Sequence, residues 1–251
     1  MSDLVLLEPA GAGILRLTLN RPDALNALNR PLTTALEQAL ERVAAMDDVR
    51  VLLVSGRGRA FCAGNDIREM ETITGEEAQA LAARQAVLMD RFSHLPQVTM
   101  AVIDGHALGG GLMLAVAQDL RIASDRARLG LPEVTLGFNP GYGIARFLDI
   151  AGGGHGRDLL LSGRTIHATE ALRIGLVNRV VAPPTLDASA IKWAEEIAGS
   201  PREGLAATKE IVAAIRAGTK GREPEAYGAA LRTGAAARER IRAFAARRPR
   251  A

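Results

Sequence analysis

Two short glycine-rich stretches carry the residue types best suited to chemistry. Gly64-Asn65-Asp66 follows the apolar run Val51–Val54 and the segment Gly56-Arg57-Gly58-Arg59-Ala60-Phe61-Cys62-Ala63. Gly109-Gly110-Gly111 follows the apolar run Val98–Ile103 and Gly105-His106-Ala107-Leu108. Each lies between an expected strand and an expected helix start. A helix start exposes N–H groups that have no intrahelical partner, and its dipole favours negative charge. Glycine lets another group come close to the backbone. Two such turns facing each other would hold one oxyanion between two N–H donors. In such a hole, losing one donor costs about 3–4 kcal/mol of transition-state stabilisation. On the residues alone the turns read first as tight strand-to-helix connections with no ligand, and a phosphate cradle competes with the oxyanion hole. No Gly-Lys-Ser/Thr follows either turn, which excludes a P-loop, and Gly109-Gly110-Gly111 lacks the dinucleotide spacing. Gly152-Gly153-Gly154-His155-Gly156 has no apolar strand before it and is expected to be a loop beside a helix.

The elements that must position these turns are legible from periodicity. Ile14–Leu19 alternates apolar and polar residues as a strand does, and Asn20-Arg21-Pro22-Asp23 ends it. Leu32, Leu36, Ala39, Leu40 and Val43 recur at helical spacing behind Pro31. A helix is expected over roughly 76–94, and Leu120–Ala123 reads as a third apolar strand. Strands separated by helices at these distances make the class α/β. After about residue 153 the strand signal fades to Val177–Val181, and Ala/Glu/Arg-rich helical segments follow at Thr185–Ala198, Pro201–Ala217 and Pro224–Ala246. The expected organisation is an α/β core over 1–190 and a helical C-terminal module over 191–251.

Composition narrows the function classes. The chain has 251 residues, 48% hydrophobic and 24% charged, enough to bury a core without disulfides or metals. Cys62 is the one cysteine, which fits a reducing, cytoplasmic setting, and four scattered histidines argue against structural zinc. No uncharged apolar run spans a bilayer and the first residues do not read as a signal peptide, so no membrane partner is expected. The net charge of +3 is concentrated at the end, where residues 238–251 hold six arginines and one glutamate. That stretch is open to two readings, a solvated basic helix end or an anion site. With two tyrosines and one tryptophan, and no basic–aromatic interleaving, nucleic acid is not expected as a partner.

Five segments, in order, resemble the crotonase superfamily, the enoyl-CoA hydratase/isomerase family. They are Asn20-Arg21-Pro22 with Ala24-Leu25-Asn26-Ala27-Leu28; Val54-Ser55-Gly56 with residues 59–70; residues 101–111; Leu131-Pro132-Glu133-Val134 with Leu136-Gly137-Phe138 and Pro140-Gly141-Tyr142-Gly143; and Leu161-Ser162-Gly163-Arg164 with residues 170–181. The resemblance covers almost the whole chain. It implies a ClpP/crotonase-like spiral of ββα units with a C-terminal helical trimerisation module, and a homotrimer or dimer of trimers. It implies an acyl-CoA thioester as substrate and no separate cofactor, coenzyme A being part of the substrate. Carried over residue by residue, the N–H groups of Asn65 and Gly110 would be the two oxyanion donors. Ala63, Gly64, Asp66, Ile67, Arg68 and Gly109 would border the ligand, and Glu133 falls on the family's second catalytic glutamate. Met113 stands where hydratases carry their first catalytic glutamate, and a thioether is no general base. The family's single-glutamate enoyl-CoA isomerases work from the position of Glu133, so isomerase activity is expected ahead of hydratase activity, with a non-catalytic acyl-CoA-binding member as a third reading. Apolar neighbours would raise the Glu133 pKa. Glycine at 141 speaks against the dienoyl-type chemistry that uses an aspartate there. Arg247 and Arg248 fall where relatives carry basic residues near the CoA phosphate, whereas Asp23 replaces an expected lysine. Asp66 is most simply a helix N-cap, and His106 and Cys62 read as packing residues.

Overall fold

The computed structural model describes residues 4–218 and 224–246. β1 (Val5–Gly11) and β2 (Ile14–Leu19) form an antiparallel hairpin, followed by α1 (Arg30–Ala44). β3 (Val51–Gly56) and β4 (Ala60–Cys62) lead into α2 (Ile67–Met70) and α3 (Gly75–His94). β5 (Val98–Ile103), β6 (His106–Leu108) and α4 (Gly110–Ala117) repeat the strand–strand–helix pattern. β7 (Leu120–Ser124) and β8 (Arg128–Gly130) begin it again, passing through the 3-10 turn Pro132–Leu136 into α5 (Ile144–Ala151) and α6 (Gly153–Ser162). The chain continues through β9 (Thr165–His167), α7 (Ala168–Arg173) and β10 (Arg179–Val181). It ends in α8 (Leu186–Ala198), α9 (Arg202–Arg216), α10 (Pro224–Thr233) and α11 (Ala235–Ala245).

Each repeat gives one strand to each of two sheets, which is the spiral of ββα units that the resemblance implies. The larger sheet has the order β1-β2-β3-β5-β7-β10 and the smaller β4-β6-β8-β9. Pairing is parallel except for β1 with β2 and β8 with β9. A parallel sheet covered on both faces needs strands that are apolar on both sides, and β3 and β5 are. Val51, Leu53, Met100, Val102 and Ile122 face one core, and Leu52, Val54, Ala101, Ile103 and Ala123 face the other. The first of these cores is closed by Leu186, Ala190, Ala194 and Ala198 of α8. The expected division at residue 190 therefore falls inside a helix that seals the main sheet.

Three local differences from the sequence reading have physical causes. The strands of the second sheet are three residues each, too short to display alternation. Gly153, Gly154 and Gly156 lie within α6 and not in a flanking loop; Gly156 fits there because Leu148 of α5 packs directly against it. The helical stretch after Pro224 is two helices, divided at Gly234.

An ion pair between buried Lys209 and half-buried Asp119 ties α9 to the sheet. Asp119, just before β7, accepts from the Thr99 N–H at 2.7 Å, the Thr99 hydroxyl at 3.0 Å and the Lys209 ammonium at 2.7 Å. Lys209 also donates to the Gln97 carbonyl at 2.7 Å, and it is buried. Burial pushes its pKa down while Asp119 pulls it back up. Removing one partner of a fully buried pair costs about 3–5 kcal/mol, but Asp119 is partly solvated and keeps its bonds from Thr99, so the cost here is smaller. Lys209→Met is therefore expected to lower unfolding free energy by about 2 kcal/mol, measured by urea titration. A loss below about 1 kcal/mol would mean that the pair is effectively solvated.

Candidate active site

The two glycine turns are brought together by strand pairing. β4 and β6 are parallel neighbours, with Ala60 opposite His106 and Cys62 opposite Ala107. Their C-terminal ends therefore emerge side by side, one into Ala63-Gly64-Asn65 and the other into Gly109-Gly110. Gly64 has φ +107°, and a Cβ on it would lie 2.9 Å from the Leu108 carbonyl oxygen and 3.6 Å from the Gly110 nitrogen. Only glycine permits that backbone and that approach.

The hydrogen bonds around each turn leave one N–H over. Leu28 donates to the Gly64 carbonyl at 2.7 Å, and Asp66 donates to the Leu28 carbonyl at 2.9 Å. These bonds bracket Asn65, whose own N–H has no protein acceptor among the described residues. Gly109 donates to the Gly130 carbonyl at 2.9 Å and accepts from Met113 at 3.0 Å, so Gly110 opens α4. Its N–H likewise has no protein acceptor among the described residues. Every residue of α4 is buried, which aims the positive end of a helix in an apolar setting at this spot.

Glu133 is the carboxylate beside the turns. The 3-10 turn Pro132–Leu136 carries it inward while Val134 and Leu136 face outward. A Cβ on Gly109 would lie 2.8 Å from Glu133 Oε1, so the carboxylate rests against the Gly109 backbone. Its Oε2 is buried and has no hydrogen-bond partner. Burial raises the Glu133 pKa above the ordinary carboxylate value, as its apolar neighbours led us to expect.

Met113 is 2% exposed, and its Sδ would be 2.9 Å from a Cβ on Gly143. The thioether thus packs under the Gly141-Tyr142-Gly143 segment. Asp66 caps α2 by accepting from the Arg68 N–H at 3.0 Å and pairs with Arg21 at 2.6 Å. Burial alone would raise its carboxyl, but Arg21 and the neighbouring N–H groups outweigh that and hold it below the ordinary range. Its oxygens are therefore committed to structure. Ile67 and Arg68 are exposed at the mouth, and Ala63 is half-buried behind them. Arg247 and Arg248 lie outside the described residues. Cys62 is fully buried, with its thiol against the Asn26 carbonyl at 3.1 Å and a pKa pushed up to about 12, so it is no nucleophile. His106 is exposed at the start of β6.

A family model for enoyl-CoA hydratase/isomerase matches residues 9–242. The chain belongs to the enoyl-CoA hydratase/isomerase family. It is 35% identical over 210 residues to a short-chain-enoyl-CoA hydratase of Clostridium acetobutylicum, covering 83% of this chain and 80% of that one. Among solved structures it is similar to an enoyl-CoA hydratase from Bacillus anthracis, at TM-score 0.81 and 34% identity over 83% of this chain and 82% of that one. It is also similar to an enoyl-CoA hydratase/carnithine racemase from Magnetospirillum magneticum, at TM-score 0.91 and 30% identity over 100% and 96% of the two chains. The crotonase fold and enzyme membership in the family follow.

Two residues at the site were not picked out from the sequence. Asn26 is fully buried at φ +56°; its side chain donates to the Arg57 and Ala60 carbonyls and accepts from the Arg21 N–H, fixing the approach to β4. Tyr142 is buried, with its hydroxyl 3.5 Å from Asn65 Oδ1. The signal for it was its placement between two glycines in a segment that carries Glu133. The packing makes Gly110 intolerant: a Cβ there would meet Tyr142 Oη at 2.6 Å and Asn65 Oδ1 at 2.9 Å. Gly110→Ala keeps the N–H, but its Cβ must push the start of α4 away from Tyr142 and Asn65, so kcat is expected to fall toward the roughly 10²–10³-fold that loss of one oxyanion donor costs. Steady-state kinetics checks this, with circular dichroism to verify the fold, and near-normal kcat would show that the turn absorbs the Cβ without moving the N–H.

Proposed function

We propose that the protein is an enoyl-CoA isomerase that moves a double bond within a 3-enoyl-CoA thioester. The observation that carries this reading is Glu133, the carboxylate that keeps a buried, unpartnered oxygen among the described residues, beside two N–H groups without a protein acceptor and with Met113 where a second carboxylate would be needed. In this scheme ionised Glu133 takes a proton from carbon 2. The C–H electron pair becomes the enolate, whose oxygen rests between the N–H groups of Asn65 and Gly110. The enolate then collapses with its pair shifting to carbon 4, which takes the proton back from Glu133. The double bond ends between carbons 2 and 3, and no water is consumed. The segment from Ala63 to Arg68 borders the CoA, and Arg247 and Arg248 serve its phosphates. Assembly as a homotrimer or dimer of trimers is part of this reading. It is supported by apolar side chains left exposed on the last helices, among them Val212, Ile215, Ile241 and Phe244.

Hydration of a 2-enoyl-CoA is the second reading, favoured by the hydratase name of the Clostridium relative. Assaying the purified protein on a 3-enoyl-CoA and a 2-enoyl-CoA separates the two. We expect turnover of the first, and fast hydration of the second would sink the isomerase reading. Binding of both with turnover of neither would leave an acyl-CoA-binding member. Glu133→Gln should cut kcat by about 10²–10⁴, the usual worth of a general base.

Two further outcomes follow from the environment of Glu133. The base must be ionised, so kcat/KM should rise with pH through a pKa above the ordinary carboxylate range and then level off. Protonated Glu133 is the form that the fold prefers. Its stabilisation is present below the unfolded-state pKa and is lost as pH rises through the folded one. At neutral pH Glu133→Gln should therefore unfold at a higher temperature than the wild type, and a lower one would contradict the desolvation argument. Met113→Glu should introduce measurable hydration of a 2-enoyl-CoA, because two carboxylates can then hold one water; absence of any gain in a folded variant would show that more than the carboxylate is missing.

A further inference from the structure

We propose that the Tyr142 hydroxyl is a third hydrogen-bond donor to the thioester oxygen, completing the hole formed by the N–H groups of Asn65 and Gly110. The inference rests on the acyl-CoA reading above but not on the choice between isomerase and hydratase.

The geometry carries it. Tyr142 sits between Gly141 and Gly143, ahead of α5, on the segment that covers Met113. Its ring is buried, and its hydroxyl reaches the junction of the two glycine turns. There it lies 3.5 Å from Asn65 Oδ1 and would be 2.6 Å from a Cβ on Gly110. It therefore adjoins both residues that supply the N–H donors. The 3.5 Å contact is long for an O–H···O bond, whose usual length is about 2.7–2.8 Å. The hydroxyl proton is thus poorly held by Asn65 and free to rotate toward a better acceptor. An enolate oxygen beside Asn65 and Gly110 is such an acceptor. Burial, and then the Cys62 thiol and Glu133 carboxylate, drive the phenol pKa far above its ordinary value. The group consequently stays a neutral O–H donor at any working pH.

A donor to the thioester oxygen polarises the C=O bond, which a packing role would not do. The probe is butyryl-CoA labelled with carbon-13 at the carbonyl, a saturated thioester that the enzyme cannot turn over. Infrared difference spectroscopy reads its carbonyl stretch when bound. In the wild type the band should fall to lower frequency than in water. In Tyr142→Phe, which keeps the ring and its packing, part of that shift should be lost, and kcat should fall about tenfold or more with little change in KM. An equal band in wild type and variant would overturn the role of Tyr142 while leaving the hole intact. A fall in kcat with an unchanged band would overturn it too, since the hydroxyl would then act elsewhere. No band shift in the wild type would overturn the acyl-CoA hole itself. Replacing both tyrosines biosynthetically with 3,5-difluorotyrosine leaves the chain otherwise unchanged and makes the O–H a stronger donor. The band should then move further down, and no movement would overturn the proposal even if Tyr142→Phe failed to fold.

Discussion

The structure depends on one close approach, that of the Gly64 backbone to Leu108 and Gly110. It follows from the parallel pairing of β4 with β6, which delivers both turns to the same place. Its consequence is two N–H groups with no protein acceptor, at Asn65 and Gly110. Beside them lies a carboxylate oxygen that is buried and equally unpartnered. Leaving a buried polar group unpaired costs about 1–3 kcal/mol. A fold optimised only for stability would not gather three such groups in one spot. Two donors and one acceptor, each without a protein partner among the described residues and all adjoining the Gly109–Gly110 turn, are the groups that a ligand polar at one atom with a labile proton near it would need.

Met113 suits its apolar surroundings. α4 is a fully buried helix of Gly, Leu, Met, Ala and Val whose start carries the Gly110 donor. A second carboxylate at position 113 would stand inside that apolar helix, and an unpaired buried carboxylate carries a steep desolvation cost. Met113 instead fills the space under Gly143. Asp66, the nearest other acid in the turns, is held by Arg21 and by the start of α2. On the proposed reading, acid–base chemistry at this site falls to Glu133.

Much of this was readable from the residues. The central strands β3 and β5 of the main sheet have apolar runs because they are buried on both faces, β2 alternates, and Ile14–Leu19 and Val98–Ile103 were placed to the residue. Glu133 stood out through the family resemblance, and burial raises its pKa as its apolar flanks led us to expect. The second sheet was not visible, because three-residue strands leave no periodic trace; what betrays them is spacing, one after each long strand. Tyr142 was missed for a different reason. Its part in the site depends on an approach to Asn65 from 77 residues away, which no local pattern encodes. Asn26 belongs with it, since its worth lies in bonds to Arg57 and Ala60 across the loop.

Exposed apolar side chains close in sequence to Glu133 and Asn65 bear, on the proposed reading, on how strongly the base and the hole would act. Val134, Leu136 and Phe138 are exposed at 41%, 59% and 39%, and they follow Glu133 directly in the chain; Ile67, two residues after Asn65, is exposed at 60%. An acyl chain laid on these residues would remove apolar surface from water, a gain of about 25 cal/mol per Å². It would also exclude water from Glu133 and from the two N–H groups. Removing water strengthens every electrostatic interaction inside, and it raises a carboxylate's pKa further. Part of the binding energy of the tail is thereby spent where the charge develops, on a base made more avid for its proton and on donors made stronger for the oxyanion. On the proposed reading the exposed apolar side chains and the hole work as one device, and a thioester's tail bound on the first would sharpen the chemistry at its head.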